Sequence, residues 1–348
     1  MNFRDMSFQE LEDYETELND KIDDSEYSLL PHIIAVLEEM YKRMQRNVRE
    51  KNGDINHLNA LKDQLLYNLI NYGTFLKMKD QKDPRATEHT LKEALRYDPS
   101  NPIAAYRLGF LAYKDQRFTI AQSHFEKALT TQQIYRDKRY LLNEQQLLNA
   151  HLYLTNSALY IAKQTYEKIS QLPAQGKAEL PNYEFSSLFL SLANFEEYLK
   201  QNAFYKITQD SKTTCSKAEC ERIIDEGPTD TILLYLNDRN IKLDYNGNPE
   251  TLSQELADIL RHLLIYTSEN KPATRLSLQK YFPNAHHDGL IKKAAFRKKF
   301  SRLYEKLENC EIPPIIHAAR NEEPSYYFDR SLRFIIMYRV DEEMEYRF

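Results

Sequence analysis

The chain is poor in glycine. Seven glycines in 348 residues leave few of the left-handed backbone positions that tight β turns use. That argues against a large all-β fold and against a glycine-rich loop cradling phosphate. Neither the G-x-G-x-x-G nor the Walker-type spacing occurs. Runs of about 18 apolar residues are also missing, so no membrane span is expected. The opening "MNFRDMSFQELEDYETEL" is acidic and lacks an apolar core, so no ordinary secretory signal is expected. Cysteines number three, an odd count that suits a reducing cytoplasm. Cys215 and Cys220, in "CSKAEC", would need two further ligands at convincing spacing to hold zinc. None is found, and free thiols are expected.

A net positive charge is also missing. The formal net charge is −5 and the isoelectric point about 6.0, whereas a protein that coats nucleic acid along its length is usually basic. Any such contact must therefore be local. What the chain does have is apolar and aromatic bulk: 42% hydrophobic residues, with 25 Tyr and 16 Phe, enough for globular domains with real cores.

The first two thirds read as helix. "SFQELEDYETELNDKI" opens on Ser7 with Glu10 three residues later, the spacing of a capping box. "LLPHIIAVLEEMYKRMQRNV" and "INHLNALKDQLLYNLINYGTFLKM" carry apolar residues at three- and four-residue intervals. Then "NPIAAYRLGFLAYKDQRFTIAQSHFEKALTTQ" places Ala105, Leu108, Gly109, Ala112, Ala121, Phe125 and Ala128 where two antiparallel helices would touch, with Phe125 as the wedge. One period of 34 residues earlier stand Ala94, Leu95 and Pro99, ahead of Ala128, Leu129 and Gln133. This spacing resembles the tetratricopeptide repeat. Residues 68–101 and 102–135 fit best, a third copy is looser at about 143–176, and "YEFSSLFLSLANFEEYLKQNAFYKI" reads as a capping helix.

The polar stretch 207–228 reads as a linker. After it come a strand pair around Asn237-Asp238, an Asn-Gly turn signal in "DYNGNPE" and an amphipathic helix with Ser253 as its cap. A short second helix, "RLSLQKYF", precedes a third, "IKKAAFRKKFSRLYEKL". A hairpin and a last strand follow. The ordered set "TLSQELADILRHLL", "FSRLYEKL" and "IIHAARNEEPSYYFD" resembles the OmpR/PhoB-type winged-helix DNA-binding domain of bacterial transcription regulators. The wing turn of that family is usually glycine-rich; here it is "RNEEPS", where Glu322 and Glu323 would repel phosphate, and Tyr304 stands where the family often has Arg.

The expected fold class is therefore mainly α: an N-terminal helical-hairpin solenoid of tetratricopeptide type plus a small α+β winged-helix domain. The expected organisation is an N-terminal helical region 1–67, repeats with a capping helix 68–206, the linker 207–228 and the winged helix 229–348.

In the third helix, Phe296, Phe300, Leu303 and Leu307 form one stripe facing a core. Residues 288–306 hold seven cations against two acids, a net +5 in an acidic chain. The resemblance puts Lys298 and Arg302 where the family reads bases, with Arg297 and Lys299 toward the backbone and Lys292, Lys293, Ser301 and Arg320 completing the expected DNA contacts. The plainer reading is a solvated helix face, and a third is a protein partner with an acidic surface. On the repeats, Tyr72, Leu76, Lys79, Tyr106, Phe110, Tyr113 and Lys114 suit a peptide groove, or simply fill gaps between helices.

Catalytic chemistry is not legible. His286-His287 beside Asp288 reads as polar capping, and His32, His57, His89, His124, His151 and His262 are scattered. No nucleophile, base and orienting acid come together. An enzyme is not expected, nor a cofactor or metal. The leading expectation is a cytoplasmic, DNA-binding transcription regulator that binds a peptide or protein effector through its helical repeats and forms a homodimer. The alternative is a repeat-based adaptor or regulator of signalling proteins that binds protein partners without DNA.

Overall fold

In a computed structural model of the full chain, residues 3–25, 29–78, 84–171, 186–236, 241–281, 293–319 and 323–342 are described. The chain is mainly helical, with twelve α-helices among the described residues and a C-terminal region of β-sheet. It divides into two compact units. The first comprises Met1–Asp83, Tyr205–Thr213 and Ala218–Tyr338; the second comprises Pro84–Phe204, Thr214–Lys217 and Arg339–Phe348. This division differs from the one expected: residues 1–83 and most of 205–338 fall in one unit, and the chain crosses back at Arg339.

The first unit opens with α1 (Phe8–Ser25), α2 (Leu30–Arg49) and α3 (Ile55–Met78). The capping box forms as the spacing predicts. Ser7 N–H donates to Glu10 Oε2 at 2.6 Å, and Glu10 N–H donates to Ser7 Oγ at 3.2 Å, satisfying two orphan donors of the first turn. In α2, Leu30, Ile33, Val36, Leu37, Met40 and Met44 are buried, the three-and-four spacing of one apolar face.

The strands β1 (Phe204–Ile207), β2 (Lys212–Cys215), β3 (Thr231–Leu236), β4 (Ile241–Tyr245), β5 (Asn248–Leu252) and β9 (Arg333–Arg339) form a six-stranded sheet in the order β2-β1-β9-β3-β4-β5. All six residues of β3 are buried, as a central strand with both faces covered requires. It pairs antiparallel with β4 and parallel with β9, Leu234 opposite Leu243 on one side and Ile336 on the other. The β4–β5 hairpin turns on Asn246 (φ 51°) and Gly247 (φ 85°), with Tyr245 paired to Asn248. Two consecutive left-handed residues are what a two-residue type I′ turn needs, so the Asn-Gly signal is borne out.

The expected linker 207–228 is not featureless. It carries β2 and helix α9 (Lys217–Glu226), with Cys215, Cys220 and Ile223 buried. Its polar residues cover short elements whose few inward positions are too sparse to read as a period.

Between β5 and β9 lie α10 (Gln254–Tyr266), β6 (Ala273–Thr274), α11 (Arg275–Leu278), α12 (Lys293–Asn309), β7 (Ile316–Ala318) and β8 (Ser325–Phe328). Strands β6, β8 and β7 form a second sheet in that order. Ser253 caps α10 by accepting from Leu256 N–H, and Thr274 with Ser277 makes a capping box on α11.

The second unit holds α4 (Pro84–Tyr97), α5 (Pro102–Lys114), α6 (Phe118–Gln132), α7 (Glu144–Gln171) and α8 (Ser187–Gln201), each packed on the next. Asn101 caps α5 by accepting from Ala104 N–H at 3.0 Å. Ala105, Ala121, Phe125 and Ala128 are fully buried. The Phe125 ring lies where a Cβ on Gly109 would stand, 2.9 Å away, so the small residues do bring α5 and α6 together. The loose third copy at 143–176 differs from a hairpin: α7 runs unbroken for 28 residues. No glycine or proline interrupts it, and nothing local terminates a helix before its end.

Candidate functional site

Helix α12 forms as the period predicts, with Phe296, Phe300, Leu303 and Leu307 buried. Phe300 stacks on Tyr326 of β8 at 3.7 Å between centroids. This stripe fixes the rotation of the helix, and so decides which cations face outward.

Lys299 does not. Its side chain is 11% exposed and donates to Glu255, at the start of α10, at 2.6 Å. Arg302, on the same flank, is half-buried and acts on the same carboxylate. Burial and the Asp258 carboxylate push the Glu255 carboxyl up, while Arg302 pulls it down; the Lys299 ammonium favours the same ionised form as Arg302. Lys306 reaches Glu250 of β5 at 3.1 Å, and Asn309 donates to the same carboxylate. Lys299, Arg302 and Lys306 thus form one row, one turn apart, against acidic residues of β5 and α10. Of the residues expected to meet DNA, Lys299 is thus paired with the Glu255 carboxylate, and Arg302 sits half-buried beside the core stripe, where its charge acts on the same group.

Lys293, at the start of α12, pairs with Glu323 at 2.9 Å, and Arg275 of α11 pairs with the same carboxylate at 2.6 Å. These cations hold the Glu323 carboxyl below its usual range, Lys293 most of all. Glu323, expected to repel phosphate if it faced DNA, is matched by these two cations. Glu322 lies outside the described residues, as do Lys292 and Arg320 of the expected DNA contacts and the His286-His287-Asp288 cluster.

Arg297, Lys298 and Ser301 are exposed, and Arg297 and Lys298 make no ion pair among the described residues. Ala294, also exposed, leaves space beside them. Tyr304 donates its hydroxyl to Ile316 carbonyl at 3.2 Å. The two acids of α12, Glu305 and Glu308, are exposed as well. The partners missed from the sequence are Glu250 and Glu255. Their signal was the three-four spacing of Lys299, Arg302 and Lys306 along one edge of the apolar stripe, the place where a long cation bridges to a neighbouring element.

The expected peptide groove fares differently residue by residue. Tyr106 is fully buried, in edge contact with Phe125 at 5.9 Å, and Phe110 is 5% exposed, in edge contact with Tyr153 at 5.7 Å. Both are core residues, a correction to their assignment as groove lining. Tyr113 is half-buried; its hydroxyl donates to Glu196 and its ring packs on Tyr153 at 4.9 Å. Lys114 is exposed, with its ammonium 4.6 Å from the centre of the Phe110 ring. Tyr72, in the first unit, is half-buried. The Lys79 backbone and side chain and the Leu76 side chain lie outside the description.

Among the described residues, no cluster of His, Cys, Asp and Glu could hold a metal ion, and no helix is long and apolar enough to cross a membrane. Cys215, Cys220 and Cys310 are buried thiols. Burial pushes the Cys310 thiol up to about 12, which leaves it inert as a nucleophile. No family model, curated protein or solved structure matches the chain.

Proposed function

We propose that the chain is a DNA-binding regulator whose region from β3 to β8 is a winged helix that presents α12 to duplex DNA. Its helical repeats bind a peptide or protein effector and support a homodimer. The order α10, β6, α11, α12, β7, β8 supports this, with β8 between β6 and β7 in the second sheet and β3-β4-β5 ahead of it. The observation that carries the reading is the exposed Arg297-Lys298 step. Arg297, Lys298 and Ser301 stand clear, beside the small Ala294, on a helix whose other flank is tied to Glu250 and Glu255. Arg and Lys there reach phosphates and guanine edges. In this reading Lys299 and Arg302 hold the helix at its working rotation.

Duplex binding by the full chain tests this by fluorescence anisotropy on labelled genomic fragments. The double variant Arg297→Ala, Lys298→Ala weakens binding by roughly 2–4 kcal/mol. Binding that is unaltered in the variant, or absent from the wild type, overturns the proposal.

One observation favours the adaptor reading. On the exposed side of α12, Glu305 and Glu308 balance Arg297 and Lys298, a mixed surface that suits a protein partner as well as a polyanion. Capture of a protein through this face by wild type and not by the double variant, with no duplex binding, would establish it.

A further inference from the structure

The second unit encloses a piece of the chain's own C-terminal region. From the last residue of β9 onward, Arg339 to Glu342 belong to the helical unit, and Val340 is 1% exposed and Asp341 6%. The segment is held largely through its backbone. Gln146 of α7 donates its side-chain amide to Val340 carbonyl at 2.8 Å. Arg107 of α5 donates to Glu342 carbonyl at 2.9 Å. Val340 N–H donates to Ala203 carbonyl at 3.0 Å.

One side chain of the segment is also specifically housed. Arg339, 9% exposed, has its guanidinium 5.7 Å from the Phe110 ring centre and 5.5 Å from that of Phe204. It is fixed by Asp341 at 3.0 Å and Glu342 at 3.5 Å. A planar cation between two rings, with its carboxylate supplied two residues on, is a sequence requirement. The backbone contacts impose none.

Helices that pack only on one another have no use for buried side-chain donors aimed at the main chain of another segment. Gln146 and Arg107 are 0% and 7% exposed, and burying such groups is costly unless an acceptor is provided. That combination, main-chain carbonyls gripped by side-chain donors plus one housed side chain, follows the division by which extended peptides are recognised: main-chain hydrogen bonds give affinity and a side-chain pocket gives specificity.

We infer that the cradle of Arg107, Phe110, Gln146 and Phe204 is a peptide-binding site occupied in cis by residues 339–342. Its partner in trans is a protein segment carrying Arg-x-Asp. The inference deepens the effector half of the function proposed above, and it stands or falls independently of DNA binding. The cis segment competes at a local concentration of order millimolar, so it masks the site until a partner exceeds that or the cis segment is weakened. Exchange would release the C-terminal end of β9, the strand that pairs with β3.

The test uses the full chain and a labelled peptide with the sequence of residues 337–344. In anisotropy titrations, Arg339→Ala in the chain binds the peptide at least about tenfold tighter than wild type, because the competitor is weakened and the cradle is intact. Adding Gln146→Ala to that variant reverses the gain by about tenfold. Amide exchange on the unmutated protein gives a readout that does not depend on any variant folding: excess peptide speeds exchange at residues 340–342. Equal peptide affinity in wild type and the Arg339→Ala variant, or no binding to either, together with unchanged exchange, makes the segment a structural plug and overturns the inference. The duplex-binding assay reports on α12 and is unaffected by either result.

Discussion

Gly109→Ala sets two known effects against each other on one atom. Gly109 lies inside α5, where alanine is favoured over glycine by about 1 kcal/mol. The added methyl would sit 2.9 Å from Cδ1 and Cε1 of Phe125 and 3.0 Å from Cζ, several tenths of an ångström inside van der Waals contact. The ring is poorly placed to retreat: Phe125 is fully buried, stacked on Tyr153 at 5.3 Å and in edge contact with Tyr106 at 5.9 Å. Overpacking of a closed core costs about 1–3 kcal/mol, so the steric term should win by about 1 kcal/mol, a fall in melting temperature of roughly 2–4 °C. Thermal unfolding followed by helical circular dichroism measures it. Combining Gly109→Ala with Phe125→Leu removes the clash and should show a favourable coupling of about 1–2 kcal/mol. A single Gly109→Ala variant more stable than wild type would refute the close approach of α5 and α6.

Three further outcomes follow from the same contacts. Arg117, and behind it Lys92, hold the Glu88 carboxyl down to about 2; with a folded value below the unfolded one, its contribution is fully present above about pH 4.5 and lost as pH falls toward about 2. Glu88→Gln should therefore destabilise by about 1–2 kcal/mol at pH 7, with the gap to wild type closing in acid denaturation at low pH. Asn101→Ala removes a fully buried cap whose side chain also donates to Asp98 and Tyr135, and urea titration should show a loss of about 1–2 kcal/mol. Phe300→Ala empties the space stacked on Tyr326 and should cost about 3–5 kcal/mol, seen as a shifted urea midpoint of the full chain.

Local features were readable in the sequence because local chemistry determines them. The Ser7–Glu10 box, the Asn246-Gly247 hairpin and the Phe296-to-Leu307 stripe each depend on residues within a few positions of one another. Features that depend on distant neighbours were not. Nothing near Lys299 announces Glu255, 44 residues away, so a row of cations held to internal carboxylates looked the same as a row offered to DNA. Tyr106 and Phe110 sit at spacings that suit a groove and an interhelical core equally, and packing put them in the core. Residues 207–228 carried too few apolar positions to show a period, although Cys215, Cys220 and Ile223 are buried there. The cradle around Arg339 joins residues 107, 146 and 204 to residues 339–342, a separation no local pattern shows.

The central claim is that Arg297 and Lys298 are the outward cations of α12, while Lys299 and Lys306 are tied to Glu255 and Glu250. The slope of log K for duplex binding against log salt tests it most directly. With Arg297 and Lys298 at phosphates, each copy should give a slope of about −2. Arg297→Ala with Lys298→Ala should make it shallower by about 2 units per copy, at an unchanged melting temperature. A slope that is the same in the variant, or that falls instead with Lys306→Ala, would place the DNA-facing charge elsewhere and contradict the account.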